Sequence, residues 1–481
     1  MGWVLGMIFG AALSPVFAAT EAEKAMWAGR VEEALPIARR EALAALEDLD
    51  AQERFIDVLQ ALGMAATATE VYRARLESRP GDPASTCLLG RALADAKFAE
   101  QAYRLGLSLD PTSARCHLGI AAVNRVNGKY VDAESEYAIA AERDPHLGEA
   151  WAGLAQTRML LGQRDAALVA ARAGVQHAPG AAESYLILTV LAPNEAAATL
   201  ARAVATVPED PRVHAALAEH YLSRGDGVRA AKSAAVTLAL DPSHGGAALS
   251  AMFADALQNG RLDVSGYRQL VALRVHEGAD PKKTAIEYDK LVIRYPTSSL
   301  PRLAAARLAQ AAGDRARALD LFAGAASVEP HNIEACALYG LALVEAGRMA
   351  EARPWLDRAL AARPRDVSIL LGVARAEAKL DGLARAIPRL EEAERRWPHE
   401  ARIPLLIAEL FSAERKNEEA YRALRAALDR MPDPRLILPF TAAAVLADHR
   451  DEAFQVVDAV ARRTGDAKMK DLAEKLRTAS K

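Results

Sequence analysis

Along most of this chain, small and large apolar residues recur at fixed distances from a proline. Prolines stand at 111, 145 and 179, at 208 and 242, and at 296, 330, 364, 398 and 432, with 34 residues between neighbours in each run. Twelve residues before them lies alanine: Ala99, Ala133, Ala167, Ala196, Ala230, Ala318, Ala352, Ala386 and Ala420. Eight before them is commonly a larger group, as at Tyr103, Tyr137, Phe322, Leu356, Leu390 and Leu424. Five before them the residue is small again, as at Gly106, Ala140, Gly174, Ala325, Ala359 and Ala427. The offsets i, i+4 and i+7 fall on one face of a helix. A preceding helix carries its own small residue 24 before the proline: Ala121, Ala155, Ala218, Ala272, Ala306, Gly340, Ala374 and Ala408. Between the two, Gly128, Gly162, Gly225, Gly313 and Gly347 supply the positive φ that ends a helix. The proline stops the second helix, because the residue before it is pushed out of the α region. It is then expected in the first turn of the next helix. Each unit therefore reads as helix, tight turn, helix, proline stop, and repetition at this period signals a solenoid.

The array breaks phase twice. Pro179 to Pro208 spans only 29 residues, with Pro193 shortening the turn, and Pro242 to Pro296 spans 54, one repeat and a surplus of 20. The surplus is placed at 243–262, "SHGGAALSAMFADALQNGRL", and predicts one unpaired helix between Gly245-Gly246 and Asn259-Gly260, a possible hinge. The period resumes at 264–296, with Thr284 where alanine is usual. The predicted organisation is a leader at 1–18, degenerate repeats at 19–111, a first regular block at 112–242, the irregular helix at 243–262, a second block at 263–432, and capping helices with a charged tail at 433–481.

Composition agrees with closely packed helices. Of 481 residues, 51% are apolar but only 5% aromatic, so alanine and leucine supply the interior. A net charge of −3 gives no basic excess of the kind that binds nucleic acid. Cys87, Cys116 and Cys336 form no metal-ligand spacing and no disulfide framework. They read as small core residues, with a Cys87–Cys116 bridge as the alternative. Residues 1–20, "MGWVLGMIFGAALSPVFAAT", carry no charged side chain, and Val16 and Ala18 fit the small-residue pattern of a signal-peptidase site. Export with cleavage after Ala18 is therefore expected, although no Lys or Arg precedes the apolar run. An uncleaved anchor, or a cytoplasmic chain, is the alternative. The mature chain has no other segment that could span a membrane.

The repeats use nearly the whole chain, leaving no catalytic domain. No GxGxxG, P-loop, HExxH, EF-hand loop or GxSxG occurs. His214 and His220 lie about 240° apart around a helix and cannot share a metal. No enzyme activity, cofactor or metal is expected.

The pattern resembles the tetratricopeptide repeat family. In "EAWAGLAQTRMLLGQRDAALVAARAGVQHAP" (149–179), Trp151, Leu154, Ala155, Gly162, Ala167, Gly174 and Pro179 fall on the family's signature positions. In "EACALYGLALVEAGRMAEARPWLDRALAARP" (334–364), Cys336 replaces the tryptophan. The resemblance covers 81–432 well and both ends loosely. It implies an all-α solenoid, a right-handed superhelix whose first helices line a concave groove that binds proteins or peptides. On those helices the implied groove positions are Arg115, Arg125, Gln156, Met159, Glu219, Arg307, Gln310, Arg375, Lys379 and Glu409. The Lys/Asn clamp that some members use to grip a C-terminal carboxylate is absent. The expected role is a scaffold in a bacterial envelope assembly, with a cytoplasmic or membrane-anchored adaptor and a glycan-binding groove as alternatives.

Overall fold

Each proline closes a helix, as the spacing requires. In the computed structural model, which describes residues 19–242, 244–431, 433–464 and 467–478, the residue before the proline leaves the α region: Asp144 before Pro145 has φ −133° and ψ 91°, and Ala178 before Pro179 has φ −124° and ψ 61°. The next helix begins three residues after the proline, at Gly148. The proline thus opens the interhelix turn and does not sit in the first helical turn, because the capping residue needs its own extended backbone in between. The expected leader at 1–18 and the repeat proline at 432 lie outside the described residues.

Among the described residues the architecture is all-α, a tandem array of helix pairs. The pairs before the phase break are α1 (Glu21–Trp27) with α2 (Val31–Ala44), α3 (Leu49–Ala61) with α4 (Ala65–Ser78), α5 (Pro83–Ala92) with α6 (Ala96–Leu109), and α7 (Ala114–Val126) with α8 (Tyr130–Arg143). They continue as α9 (Gly148–Leu160) with α10 (Arg164–His177), α11 (Ala182–Leu191) with α12 (Ala196–Thr206), and α13 (Pro211–Ser223) with α14 (Gly227–Leu240). The surplus residues form one odd helix, α15 (Gly245–Gln258). Pairing resumes with α16 (Val264–His276) and α17 (Pro281–Arg294), α18 (Ser299–Ala311) and α19 (Arg315–Val328), and α20 (Ile333–Glu345) and α21 (Met349–Ala362). It ends with α22 (Val367–Leu380) and α23 (Leu383–Arg396), α24 (Arg402–Ala413) and α25 (Asn417–Arg430), α26 (Pro434–Leu446) and α27 (Arg450–Thr464), and a last helix α28 (Ala467–Thr478). The chain forms two compact units, one ending at Asp255 and one running from Ala256 with the turn Leu62–Met64, so their boundary falls inside α15. The charged stretch read as a tail is helical: α28 buries Ala473 and Leu476, whose spacing of three puts them on one face.

The second-helix triplet is the core. Ala133, Tyr137 and Ala140 are buried together in α8, and Ala352, Leu356 and Ala359 in α21. The large residue fills the gap that the two small ones leave. The ring of Tyr137 lies where a Cβ on Gly153 of α9 would fall, and the ring of Tyr103 lies where one on Gly119 of α7 would fall. Glycine lets the rings pack edgewise on a bare backbone. Thr284 keeps the alanine slot in α17 by returning its hydroxyl to the Asp280 carbonyl at 2.9 Å. One helix departs from the pattern: Ala272 of α16 is exposed, while Gly266, Tyr267 and Leu270 are buried. Tyr267 and Leu270 keep the offsets of the buried Cys116 and Gly119, but the flank that carries Ala272, with Val271 and Val275, faces water.

A further regularity ties five of the first helices to the turn before them. The side chain six residues after the repeat proline reaches back to that proline's carbonyl: Trp151 Nε1 donates to Pro145 at 2.9 Å, Arg302 Nη1 to Pro296 at 3.0 Å and Cys336 Sγ to Pro330 at 3.3 Å. His117 and His214 place Nε2 at 3.2 and 2.8 Å from the carbonyls of Pro111 and Pro208. Tryptophan, arginine, cysteine and histidine share the position because each offers a donor there.

Ala352 and Ala386 are fully buried. Replacing either with leucine is expected to overpack the contact and cost about 1–3 kcal/mol. Urea unfolding midpoints check this, and an unchanged midpoint in both variants would refute the register.

Candidate binding face on the first helices

Exposed polar residues on the first helices pair across repeats, so a side chain on one reaches the next first helix or the one beyond it. In the first unit, Arg115 of α7 pairs with Asp50 at 2.5 Å and also with Glu53, both on α3. Arg91 of α5 binds Asp57 of α3 at 3.0 Å and Glu149 of α9 at 3.2 Å. Four carboxylates thus surround two guanidinium groups across four first helices. Burial pushes the Glu53 carboxyl up, against the pull of Arg91 and Arg115. Burial works against the charge on Arg91, but Glu149, Asp57 and Glu53 outweigh it and hold the guanidinium above its ordinary value.

The same unit holds an open depression of about 400 Å³ lined by Arg125, Gln156, Met159 and Leu160. Three of the four are groove positions expected from the sequence. Arg125 donates to Gln156 at 3.3 Å, which braces α7 against α9, while Met159 and Leu160 are 39% and 56% exposed. The site therefore offers a polar rim and an apolar floor. Glu219 is exposed on α13.

In the second unit the same logic recurs. Arg307 donates to Glu334 at 2.7 Å and Gln310 to Glu345 at 3.2 Å, both from α18 to α20. Arg375 of α22 donates to Glu409 of α24 at 2.8 Å, so two expected groove residues hold each other. Lys379 is exposed on α22. Most of the expected positions are thus cross-braces between repeats as well as surface. Sequence reasoning missed Arg91. It lies 20 residues before Pro111, the offset of Arg125 before Pro145, so repeat register alone would have found it.

One sequence reading is corrected. Cys87 of α5 and Cys116 of α7 are joined by a disulfide, with Cα atoms 5.2 Å apart. The two were read as unbridged core residues because 29 residues separate them. The repeat brings their helices side by side, and Cys336 alone stays a buried free thiol. Among the described residues, no group of three or more His, Cys, Asp or Glu could hold a metal ion, and no helix is long and apolar enough to cross a membrane.

Comparison with known proteins adds two family matches, both described as tetratricopeptide repeat, at residues 193–244 and 309–375. No curated protein matches the chain. Among solved structures, the Cut9–Hcn1 hetero-tetramer of the APC/C is 14% identical, covering 95% of this chain and 89% of that one at a TM-score of 0.35. PilW, a type IV pilus biogenesis factor, is 18% identical and covers 45% and 99%, with a TM-score of 0.37. PilF of Pseudomonas aeruginosa is 18% identical and covers 46% and 100%, with a TM-score of 0.35. At such identities and scores the resemblance says nothing of partners. The two family matches fall on helix pairs of the 34-residue pattern in both units, so the chain carries tetratricopeptide repeats in each.

Proposed function

We propose that this chain is a non-enzymatic scaffold that binds partner proteins or peptides on its first-helix faces, within a bacterial envelope assembly. The observation that carries the reading is the depression at Arg125, Gln156, Met159 and Leu160, where an exposed apolar floor meets fixed polar groups. Such a combination suits a peptide side chain together with its backbone. Glu219, Arg307, Gln310, Arg375, Lys379 and Glu409 extend the contact surface along their own units. Export with cleavage after Ala18 is part of the proposal. The Cys87–Cys116 disulfide supports it, since such bonds persist in oxidising compartments. Exopolysaccharide export, pilus or secretion-system assembly and outer-membrane biogenesis are the processes in view, by analogy with the family.

Site-specific photocrosslinking in the native host tests this. A benzophenone side chain at Met159 is expected to give a discrete protein adduct. The same group at Val228, 65% exposed on the second helix α14, is expected to give none. Adducts of equal yield at both positions, or only at Val228, would sink the proposal.

A further inference from the structure

The first described residue is already engaged. The backbone nitrogen of Ala19 donates to Glu209 Oε2 at 3.0 Å, and Lys24 Nζ lies 3.0 Å from Glu209 Oε1. Glu209 belongs to the turn between α12 and α13, 190 residues further along the chain. Its two oxygens are thus divided between one main-chain nitrogen and one lysine. Helix α1 needs nothing upstream of Ala19 to start. Thr20 is its N-cap, accepting from the Glu23 amide, while the Glu23 carboxylate accepts from the Thr20 amide at 2.7 Å. Ala19 is therefore held by a carboxylate directly before a residue, Thr20, that caps its own helix.

We propose that Glu209 is the receptor for the amino terminus of the processed chain, with Ala19 as its first residue. This rests on the export reading. Hydrolysis of the Ala18–Ala19 bond consumes one water. The C–N bond breaks, the hydroxyl goes to the Ala18 carbonyl carbon and the proton to the Ala19 nitrogen; the new Ala18 acid then releases its proton and the Ala19 amine takes one up, leaving a carboxylate and an ammonium. A neutral amide that donates one hydrogen becomes an α-ammonium that donates three, at the place where a carboxylate already waits. Before processing, Glu209 holds one cation. Afterwards it holds two, and an ion pair replaces a bond in which only the acceptor was charged. Processing thereby tightens a clasp between α1 and the α12–α13 turn within the first unit.

The surroundings suit a cation. The hydrogen bond from Lys24, helped by the Ala19 amide, holds the Glu209 carboxyl below its usual range, and the same bond holds Lys24 above its own. The other charged groups on α1 are already turned elsewhere: Glu21 pairs with Lys24 at 3.2 Å and Glu23 closes the capping box. On the turn, Asp210 is taken by Arg212 at 2.5 Å.

The clasp depends on pH with a definite sign. An α-amine ordinarily titrates near ~7.7–8.0. Pairing with Glu209 raises its folded-state value, so its contribution to stability is fully present below that range and is lost as pH rises through the raised value.

The test uses the chain purified from its host and the same chain carrying E209Q or K24Q. Amino-terminal sequencing is expected to start at Ala19. The α-amine, followed by ¹³C NMR after reductive methylation, is expected to titrate above its ordinary range in the wild type and in K24Q, and within that range in E209Q. Melting temperatures of wild type and E209Q are expected to differ more at pH 6.5 than at pH 10. A different first residue overturns the processing and the clasp together. A start at Ala19 with the same amine titration in wild type and E209Q overturns Glu209 as receptor and leaves the export reading standing.

Discussion

Replacing Glu377 with alanine is expected to destabilise the second unit by about 3 kcal/mol, the low end of what breaking a buried ion pair costs. Glu377, on α22, is a carboxylate with 0% exposure. Arg389 of α23 binds it through two nitrogens at 2.7 and 2.8 Å, and Arg353 of α21 reaches it at 3.2 Å. One carboxylate therefore joins three consecutive helices. Removing it leaves these two guanidinium groups, with that of Arg385 at 3.8 Å, facing a pocket built for charge. The loss is held to the low end because Arg353 keeps Asp357 at 2.8 Å and both arginines are partly in water. Glutamine, which keeps the size and one acceptor, is expected to cost less. Urea unfolding of the two variants, at low and high salt, checks this. A loss below about 1 kcal/mol, or one erased by salt, would place the cluster with ordinary surface pairs.

The same pair occurs inverted in the first unit. Arg158 and Glu134 stand at the repeat offsets of Glu377 and Arg353, 21 and 11 residues before their respective prolines, and meet at 2.9 Å. The geometry of the repeat fixes where the contact falls, and either sign fits provided the two differ.

This contact marks the line between what sequence could reveal and what it could not. The alanine–large–small triplets, the glycine turns and the odd helix at 243–262 were legible because each rests on local spacing. Ala352, Leu356 and Ala359 need only a helical period to be placed in the core. Contacts between repeats were not legible in that way. Glu377 reads as one more surface acid until α21 and α23 are folded against it. Arg375 and Glu409 were both assigned to the binding face, but nothing local says that they hold each other. The exposure of Ala272 escaped for a related reason. A helix next to an irregular segment is buried only where its neighbours reach it, and Tyr267 and Leu270 keep their buried places while the flank with Ala272 is left uncovered. The position six residues after the proline was partly legible. Trp151 and Cys336 were aligned there, yet Cys336 was read as a small core residue, since the shared donor shows only beside the carbonyl.

Reducing the disulfide between Cys87 and Cys116 is expected to lower the stability of the first unit by about 3–4 kcal/mol, on the loop-entropy account for a closed loop of some 30 residues. The bond joins α5 to α7, the first helices of neighbouring pairs, so it spans an interface between repeats as well as a loop. In a repeat array, stability is a sum of repeat and neighbour terms. The loss should therefore concentrate in α5 to α8 and spread little into the second unit. Cys87 is 6% exposed and Cys116 0%, so the reduced sulfurs would stay in the core, and the native contacts around them need not change. Cys336 is not a competitor. Burial holds its thiol above the ordinary range, which keeps it from attacking as thiolate. Thiol titration of the denatured protein should count one free thiol before reduction and three after. Hydrogen exchange should show faster opening in α5 to α8 of the reduced chain, and the C87A/C116A double variant should match it. Three thiols in the protein taken directly from its host would refute the bond and remove its support for an oxidising compartment. One thiol, with no change in exchange on reduction, would keep the bond and deny it a structural role.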